Sequence, residues 1–467
     1  MRDLAQMPGP RGSRLFGTGV LFRRDLLGTL LGGMRDYGDT VRYEVLPLVR
    51  PLRETLVVAH HPDDVRQVLA RTERSLTKRT IGFEVLAEMV GLGLLTTEGE
   101  VWRRQRRTLQ PLFTPRRVTR YAALMAEEAD RLELPPEGGV VDLNLAMRRY
   151  TLRVVGKALF SEDIDDTVPA LHRLVPRLSD LTVRRTFQLA RIPLRFPTPR
   201  NLAVRRIKAQ EYAIVDRILA RVSDADSDDL LTRLRAARDP ETGEGLSEQE
   251  IRDQVLVFLL AGHETTSGAL TFALHLLGRH PEEQEAVAAE VASVSGGTPG
   301  PDDVPRLVRT RAALLEAMRL YPPAYLTERR TVEETIIGGH AVPGGVMVLV
   351  APWSTHRHPE FWPDPERFDP GRFVGEHERP HYAYFPFGGG PRACVGEHFA
   401  LLEATILLAG LLSRYRVAAL EPELAVEPLI TLRPRGSVWA RLAPRRGHSQ
   451  TAGGVRIDVP GNPSKYR

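Results

Sequence analysis

The sequence predicts a mainly α-helical fold with a minor β region, organised as a single large domain. Three observations support this fold class: helical periodicity dominates the 467 residues, strand signals are few, and no internal repeat or low-complexity linker divides the chain. The clearest strand signals are Thr55 to Ala59 and Val346 to Ala351, the second of which follows a Pro-Gly-Gly turn. We expect one domain over residues 1–442, followed by a flexible tail over residues 443–467, where apolar residues are scarce.

The composition is that of a large globular protein. Apolar residues make up 42% of the chain and charged residues 26%, which excludes collagen-like, coiled-coil and wholly disordered proteins. The 64 basic and 59 acidic residues leave a net charge of +5, too small to indicate a nucleic-acid partner. The first residues form no signal peptide, and the run Val255 to Ala261 is too short to span a membrane. We therefore expect a cytoplasmic, monomeric protein.

A buried helix of about 30 residues is predicted in the second half of the chain. Ser247 and Glu250 form a capping box at its start, and Gly278 marks its end. Its apolar side chains point to all sides, so the helix must lie inside the protein.

Residues 262–268 place a polar segment in the middle of this helix. Burying Glu264 and several hydroxyls is costly unless they are hydrogen-bonded, so the segment indicates a function. The alternative is that the hydroxyls bond back to helix carbonyls while Glu264 reaches solvent. A zinc-protease motif is excluded, because Ser267 stands where its second histidine is required.

A second helix carries Glu316 and Arg319, which are three residues apart and therefore share a face. Taken alone, such a pair is most often solvated and contributes only tenths of a kcal/mol.

Cys394, the single cysteine, lies where a glycine-rich turn enters a helix. A single cysteine excludes internal disulfides and multi-cysteine metal sites. Exposed amides and the positive helix end favour a thiolate there. An inert buried cysteine, a nucleophile with His398 as its base, and one thiolate that ligates haem iron are the three interpretations. A dinucleotide-binding turn is disfavoured because no strand with an acidic end follows.

The residues around this cysteine carry a family resemblance. The pattern Phe387-x-x-Gly390-x-Arg392-x-Cys394-x-Gly396 resembles the haem-binding signature of the cytochrome P450 monooxygenases, with every fixed position present.

Three further segments resemble parts of the same family, in the family's order. Residues 261–266 resemble its oxygen-activating helix, Glu316-x-x-Arg319 its buried ion pair, and residues 365–368 the segment that completes the network of that pair. The resemblance extends from about Pro8 to Leu442 and is to soluble bacterial members without a fused reductase.

The resemblance implies a haem b cofactor with Cys394 as the metal ligand. The other residues expected at the cofactor are Phe387, Gly390, Arg392, Gly396, Trp102, Arg106 and Arg329. It also implies that Thr265 and Glu264 are catalytic and deliver protons during O2 activation. Glu316, Arg319 and Arg367 would form a structural network behind the haem.

The resemblance places a substrate pocket above the haem. The residues expected to line it are Ile81, Phe83, Leu94, Leu260, Ala261, Ala324, Leu326 and Ile430. Nearly all are aliphatic, which suits a lipophilic substrate such as a terpenoid, a fatty-acyl chain or a polyketide-like molecule.

Electrons must come from a separate protein, because the chain has no flavin or P-loop motif. A ferredoxin or flavodoxin would dock on a basic patch of Arg103, Arg104 and Arg107, unless these form an ordinary solvated helix face. Two other functions remain open. A peroxide-using or isomerising haem enzyme can dispense with the Glu264-Thr265 pair, and a non-enzymatic carrier has no evident need for it.

Overall fold

The computed structural model describes residues 2–14, 16–45, 54–70, 75–135, 139–160, 166–188, 192–221, 229–376 and 378–445. Helices dominate these ranges, and small sheets flank them, which confirms the mainly α fold. The helices are α1 Gly19–Arg24, α2 Leu26–Tyr37, α3 Pro62–Ala70, α4 Ile81–Val90, α5 Gly99–Leu109, α6 Pro115–Val118, α7 Ala122–Asp130, α8 Leu143–Phe160, α9 Val168–Thr186, α10 Pro199–Arg221, α11 Leu230–Ala236, α12 Glu248–Arg279, α13 Pro281–Val294, α14 Val308–Leu320, α15 Pro352–Thr355 and α16 Glu397–Arg414.

The strands are short and belong to four sheets within the described residues. They are β1 Arg2–Asp3, β2 Thr40–Val45, β3 Glu54–Ala59, β4 Leu76–Thr77, β5 Val140–Asp142, β6 Thr327–Thr331, β7 Thr335–Ile337, β8 His340–Val342, β9 Met347–Val350, β10 Tyr415–Ala419, β11 Val426–Pro428, β12 Leu432–Pro434 and β13 Trp439–Pro444. The largest sheet has the order β2-β3-β9-β6-β4. Its β3 and β9, the two strands expected from the sequence, pair in parallel with Val57 opposite Val348.

The long helix α12 forms the centre of the helical core. Ser247 caps it through the predicted box with Glu250, and it packs against α8, α10, α14 and α16. Gly262 lies close against α8, because a Cβ there would be 3.1 Å from Val155 Cγ2. The glycine therefore gives α12 and α8 their close contact, at a cost in helix propensity.

Among the described residues, α12 is also the one helix that is long and apolar enough to cross a membrane. The share of its most apolar window buried inside the protein is 72%. A buried helix of this kind is the core helix of a folded domain.

The described part of the chain continues beyond the expected domain end at residue 442. Strand β13 runs to Pro444, and Arg445 donates from Nε to Leu412 O at 2.7 Å and pairs with Glu285 at 2.7 Å. Most of the expected tail, residues 446–467, lies outside the described residues.

Candidate active site

The polar segment of α12 borders a cavity of about 900 Å³. Thr265 lines this cavity, and its Oγ1 donates to Ala261 O at 2.6 Å. Ser267 Oγ donates in the same way to Glu264 O at 3.1 Å. Both hydroxyls therefore donate to carbonyls of their own helix. The Thr265 oxygen lies at the cavity wall and can still accept a hydrogen bond there.

Glu264 is buried and does not reach solvent, contrary to the back-bonding alternative. Its Oε1 lies 3.7 Å from Nη2 of Arg148, which is also buried on α8. Burial raises the pKa of Glu264, while the charges of Arg148 and Arg433 oppose the rise. Glu264 also lines the cavity, so its wall carries a carboxyl that holds its proton readily and, at the next position along α12, the Thr265 hydroxyl.

Cys394 lies more than a hundred residues after α12 in the sequence, but it lines the same cavity. Its N–H donates to Phe387 O at 2.8 Å, which closes the glycine-rich turn ahead of α16. Cys394 is exposed to the cavity. The protein packed around its thiol still raises the thiol pKa, although the N–H of Gly396 and the Arg106 guanidinium oppose the rise. A reactive nucleophile needs a lowered thiol pKa, so the raised pKa of Cys394 disfavours the nucleophile interpretation.

Gly390 shapes the turn that carries Cys394. Its φ of +64° is left-handed, and a Cβ there would meet Leu69 O at 2.3 Å. Its expected place at the cofactor stays a prediction. Phe387 and Gly396 do line the cavity, and a Cβ on Gly396 would lie 4.0 Å from Cys394 Sγ.

Three cationic side chains line one region of the cavity: Lys78, Arg329 and Arg392. Arg392 donates to Thr97 O at 2.8 Å, and its guanidinium lies 3.8 Å from the centre of the Trp102 ring. Burial lowers the pKa of Lys78 well below its usual value, and the nearby charges of Arg329 and Arg392 lower it further.

Arg106 also lines the cavity, but its Nη1 donates to Ala393 O at 2.9 Å. This bond fastens α5 to the residue before Cys394.

Lys78 was missed by the sequence reasoning. The available signal was its rarity, because the chain has only four lysines.

These groups fit the haem implied by the sequence. The protein alone disfavours both a Cys394 thiolate and a charged Lys78. An iron cation stabilises a thiolate, and the carboxylates of a porphyrin neutralise buried cations. The chemistry of this donor set therefore matches an iron porphyrin that carries propionates.

Glu316 and Arg319 form a fully buried bidentate pair, not a solvated one. Arg319 donates from Nε and Nη2 to the two carboxylate oxygens at 2.7 and 2.9 Å. It also donates to three backbone carbonyls, those of His356 at 2.9 Å, Pro365 at 2.6 Å and Arg367 at 3.0 Å. One guanidinium thus fixes the long irregular segment ahead of the cysteine turn.

Arg367 takes part in this network through its backbone, which corrects the expected role of its side chain. The Arg367 side chain is exposed. The second guanidinium near Glu316 belongs to Arg372, whose Nε lies 3.5 Å from Oε1. Asp369 N donates to the same carboxylate oxygen at 2.9 Å.

The structure places all eight predicted pocket residues in the cavity lining: Ile81, Phe83, Leu94, Leu260, Ala261, Ala324, Leu326 and Ile430. The sequence reasoning missed the contribution of α9, whose lining residues are Val175, Leu178, Ser179, Thr182, Val183 and Thr186. Their three- and four-residue spacing was the available signal, since it marks one face of a helix.

The predicted basic patch is largely neutralised by intramolecular pairs. Arg104 pairs with Glu250, and Arg107 makes two hydrogen bonds to Asp239, at 2.9 and 2.8 Å. Arg103 lies 3.0 Å from Glu100. These pairs correct the expectation that α5 presents an uncompensated cationic surface.

The comparisons with known proteins agree with this geometry. The sequence matches the family described as Cytochrome P450 over residues 7–438. Cyclooctat-9-en-7-ol 5-monooxygenase of Streptomyces melanosporofaciens is 37% identical over 86% of this chain and 86% of its own length. Cyclooctatin synthase of the same organism is 35% identical over 94% of each chain. Pentalenene oxygenase of Streptomyces avermitilis is 34% identical over 85% of this chain and 88% of its own length.

The match spans the cysteine turn, the polar segment of α12 and the buried ion pair in one alignment. These are the three regions that the structure brings together around, or directly behind, one cavity. The chain therefore belongs to the cytochrome P450 family and is a haem-dependent monooxygenase.

Proposed function

We propose that this monooxygenase hydroxylates or epoxidises a lipophilic terpenoid with one oxygen atom from O2. The observation that carries the proposal is the mostly aliphatic cavity that includes both Cys394 and Thr265. Such a lining suits terpenoids, fatty-acyl chains and polyketide-like molecules. The names of the relatives favour the first class, because one is named for cyclooctat-9-en-7-ol and another for pentalenene.

The proposed cofactor is haem b. When bound, it supplies reductive activation of O2 at a thiolate-ligated iron. Cys394 would ligate the iron, and Lys78, Arg329 and Arg392 would hold the propionates. The Trp102 ring would keep the Arg392 guanidinium in place.

Glu264 and Thr265 would control the protons that the reaction consumes. Thr265 Oγ1 donates to Ala261 O, so its lone pairs are available to accept from a water in the cavity. Glu264 holds a proton readily because it is buried, and Arg148 keeps its carboxyl beside the cavity. The pair would therefore bind a water and replace the proton that this water gives up.

A separate ferredoxin or flavodoxin would supply the electrons in the cytoplasm to a monomeric enzyme. Since Arg103, Arg104 and Arg107 each pair with an acidic residue of the same chain, the exposed Arg116 and Arg120 close to them would add to the attraction. Electrostatic steering of this kind weakens with salt. A reduction rate that does not change between low and high ionic strength, with any acidic partner, would exclude this docking surface.

The first test is the absorption spectrum of the purified protein, reduced with dithionite, with and without carbon monoxide. A strongly red-shifted Soret band is the expected result for thiolate-ligated haem. A band at the position of histidine-ligated haem, or the absence of any haem band in folded protein, would overturn the assignment of Cys394 as the ligand.

The second test is turnover under ¹⁸O2 with a surrogate ferredoxin, its reductase and NADPH. A terpenoid panel should yield a product with one ¹⁸O atom, and parallel fatty-acid and polyketide panels should not. Turnover with hydrogen peroxide alone, but none with O2 and the reductase, would show a peroxide-using enzyme instead. Binding without NADPH consumption by the complete system would indicate a carrier.

A further inference from the structure

His356, which directly follows α15, is fully buried and contacts both the ion-pair network and the segment that leads into the cysteine turn. Its carbonyl accepts from Arg319 Nη1 at 2.9 Å, and its ring Nε2 accepts from the backbone N–H of Phe385 at 2.9 Å. The ring also packs against the rings of Tyr384 and Phe385, with centroid distances of 4.9 and 5.3 Å. One residue therefore connects the two regions.

The bond to Phe385 requires a neutral imidazole. A ring nitrogen that accepts from an N–H carries no proton itself, so Nε2 is unprotonated and the ring proton is on Nδ1. Burial lowers the pKa of His356 well below its usual value, and the charges of Arg319 and Arg357 lower it further. The surroundings thus keep the ring in the protonation state that can accept from Phe385.

The Phe385 amide begins a short series of hydrogen bonds that ends at Cys394. Phe385 O accepts from the N–H of Gly388 at 2.9 Å, and Phe387 O accepts from the N–H of Cys394 at 2.8 Å. Phe385 is buried, and residues 385–389 line the cavity. Loss of the His356 acceptor would leave a buried N–H unsatisfied, which favours movement of this cavity wall.

The residue before Phe385 is fixed separately. The hydroxyl of Tyr384 donates to Leu315 O at 2.8 Å and so ties the segment to α14. A change at His356 therefore loosens the Phe385 amide while this second attachment remains.

We propose that His356 is a positioning residue for Cys394, and that its Nε2 holds the chain ahead of the turn so that the sulfur stays in place as an iron ligand. The inference rests on the proposed ligand role of Cys394. It adds a residue that acts through the turn, since His356 is not among the described residues that line the cavity.

The test uses two variants that differ in reach. His356→Gln keeps an acceptor at the position of Nε2, whereas His356→Asn reaches only the position of Nδ1 and loses the bond to Phe385. The matched control is His358→Asn. His358 is also buried, and its Nε2 lies 3.1 Å from Asp39 Oδ1, so this contact ties down a different part of the chain.

Two measurements are made on the haem-loaded protein, below the urea concentration at which it unfolds. The first is the rate at which the reduced carbon-monoxide complex loses its strongly red-shifted Soret band. The second is amide hydrogen exchange, read by mass spectrometry, in the peptide that contains Phe385. A merely structural role would lower the urea midpoint of both Asn variants without separating their rates of band loss.

His356→Asn should lose the band about tenfold faster than wild type and should exchange the Phe385 amide faster, because a buried N–H has lost its acceptor. His356→Gln and His358→Asn should stay within about twofold of wild type. Equal rates in the two His356 variants, or a His356→Asn rate matched by His358→Asn, would overturn the inference and leave Cys394 as the ligand. Failure of both His356 variants to fold or to bind haem would show that the ring serves packing alone, and would also overturn it. Absence of the band in haem-loaded wild type would overturn the ligand role of Cys394 and this inference with it.

Discussion

Replacing Glu316 with glutamine should remove the charge that balances the buried Arg319 guanidinium while keeping the shape of the side chain. Both side chains have zero exposure, and the pair is bidentate. The three carbonyls bonded to Arg319 supply only partial negative charge, so they do not replace the carboxylate. Glu316→Gln therefore leaves a buried, unpaired cation.

Breaking a buried pair by removing one partner costs about 3–5 kcal/mol. A folded domain is stable by only about 5–15 kcal/mol, so the variant would lose a large share of its stability. The carbonyls that Arg319 holds belong to the irregular segment ahead of the cysteine turn. We therefore expect Glu316→Gln to lose haem incorporation together with stability.

Urea unfolding followed by tryptophan fluorescence measures this loss. Trp362 is a suitable reporter, because its ring is fully buried and lies 5.1 Å from the Arg319 guanidinium. Haem content is taken from the pyridine haemochrome spectrum of the same preparation. The matched control is Glu127→Gln, which breaks a half-exposed helix pair with Arg131 and should cost about 0.3–0.5 kcal/mol.

A Glu316→Gln protein that loses less than about 1 kcal/mol and retains full haem would refute the reasoning. That result would mean that the carbonyl cage alone compensates the guanidinium. A loss equal to that of the Glu127 control would lead to the same conclusion.

Three further predictions concern the polar segment, an unused buried acid and the cysteine turn. Thr265→Ala should keep the carbon-monoxide spectrum but divert NADPH into peroxide, and unchanged coupling of NADPH to product would contradict this role. Glu211 is buried, both its oxygens lack partners among the described residues, and burial raises its pKa to about 8. The unfolded chain ionises first, so this group should lower the unfolding free energy by about 1.4 kcal/mol per pH unit between about pH 4.5 and 8. Glu211→Gln should flatten that slope in urea titrations at pH 5 and pH 8, and an unchanged slope would count against it. Gly390→Ala should reduce haem content more than Gly388→Ala, since both positions have left-handed φ but only Gly390 also faces the Leu69 carbonyl; equal losses would show that backbone strain alone matters.

The sequence was sufficient for the residues whose chemistry is local. The cysteine signature, the polar segment of α12 and the Glu316-Arg319 spacing are each contained in ten residues or fewer. Such patterns can be recognised without knowledge of the tertiary structure, because the same few residues also form the turn or helix that positions them.

The errors arose where a side chain meets a partner from a distant part of the chain. Arg107 was expected to face a redox partner, but Asp239 lies opposite it in the fold, 132 residues away in sequence. Arg367 was expected to complete the ion-pair network, but the chain path presents its carbonyl and turns Arg372 inward. No periodicity or spacing rule specifies these meetings, since tertiary packing alone decides them.

The lining contributed by α9 was missed for a related reason. Its lining residues Val175, Leu178, Thr182 and Thr186 have an ordinary helical neighbourhood in the sequence, and their place in the cavity wall appears only once the fold is known.

The parallel pairing of β3 with β9 has a consequence for how the chain is made. His60, directly after β3, is hydrogen-bonded to Ser354, shortly after β9. The two residues are 294 positions apart in the sequence. A ribosome that adds about 5–20 residues per second needs roughly 15–60 s to synthesise that interval. Until then β3 presents an unpaired edge rich in β-branched residues, of the kind that joins to other nascent chains. Slower growth at low temperature, or added chaperone, should therefore raise the yield of soluble protein more than any change at the active site.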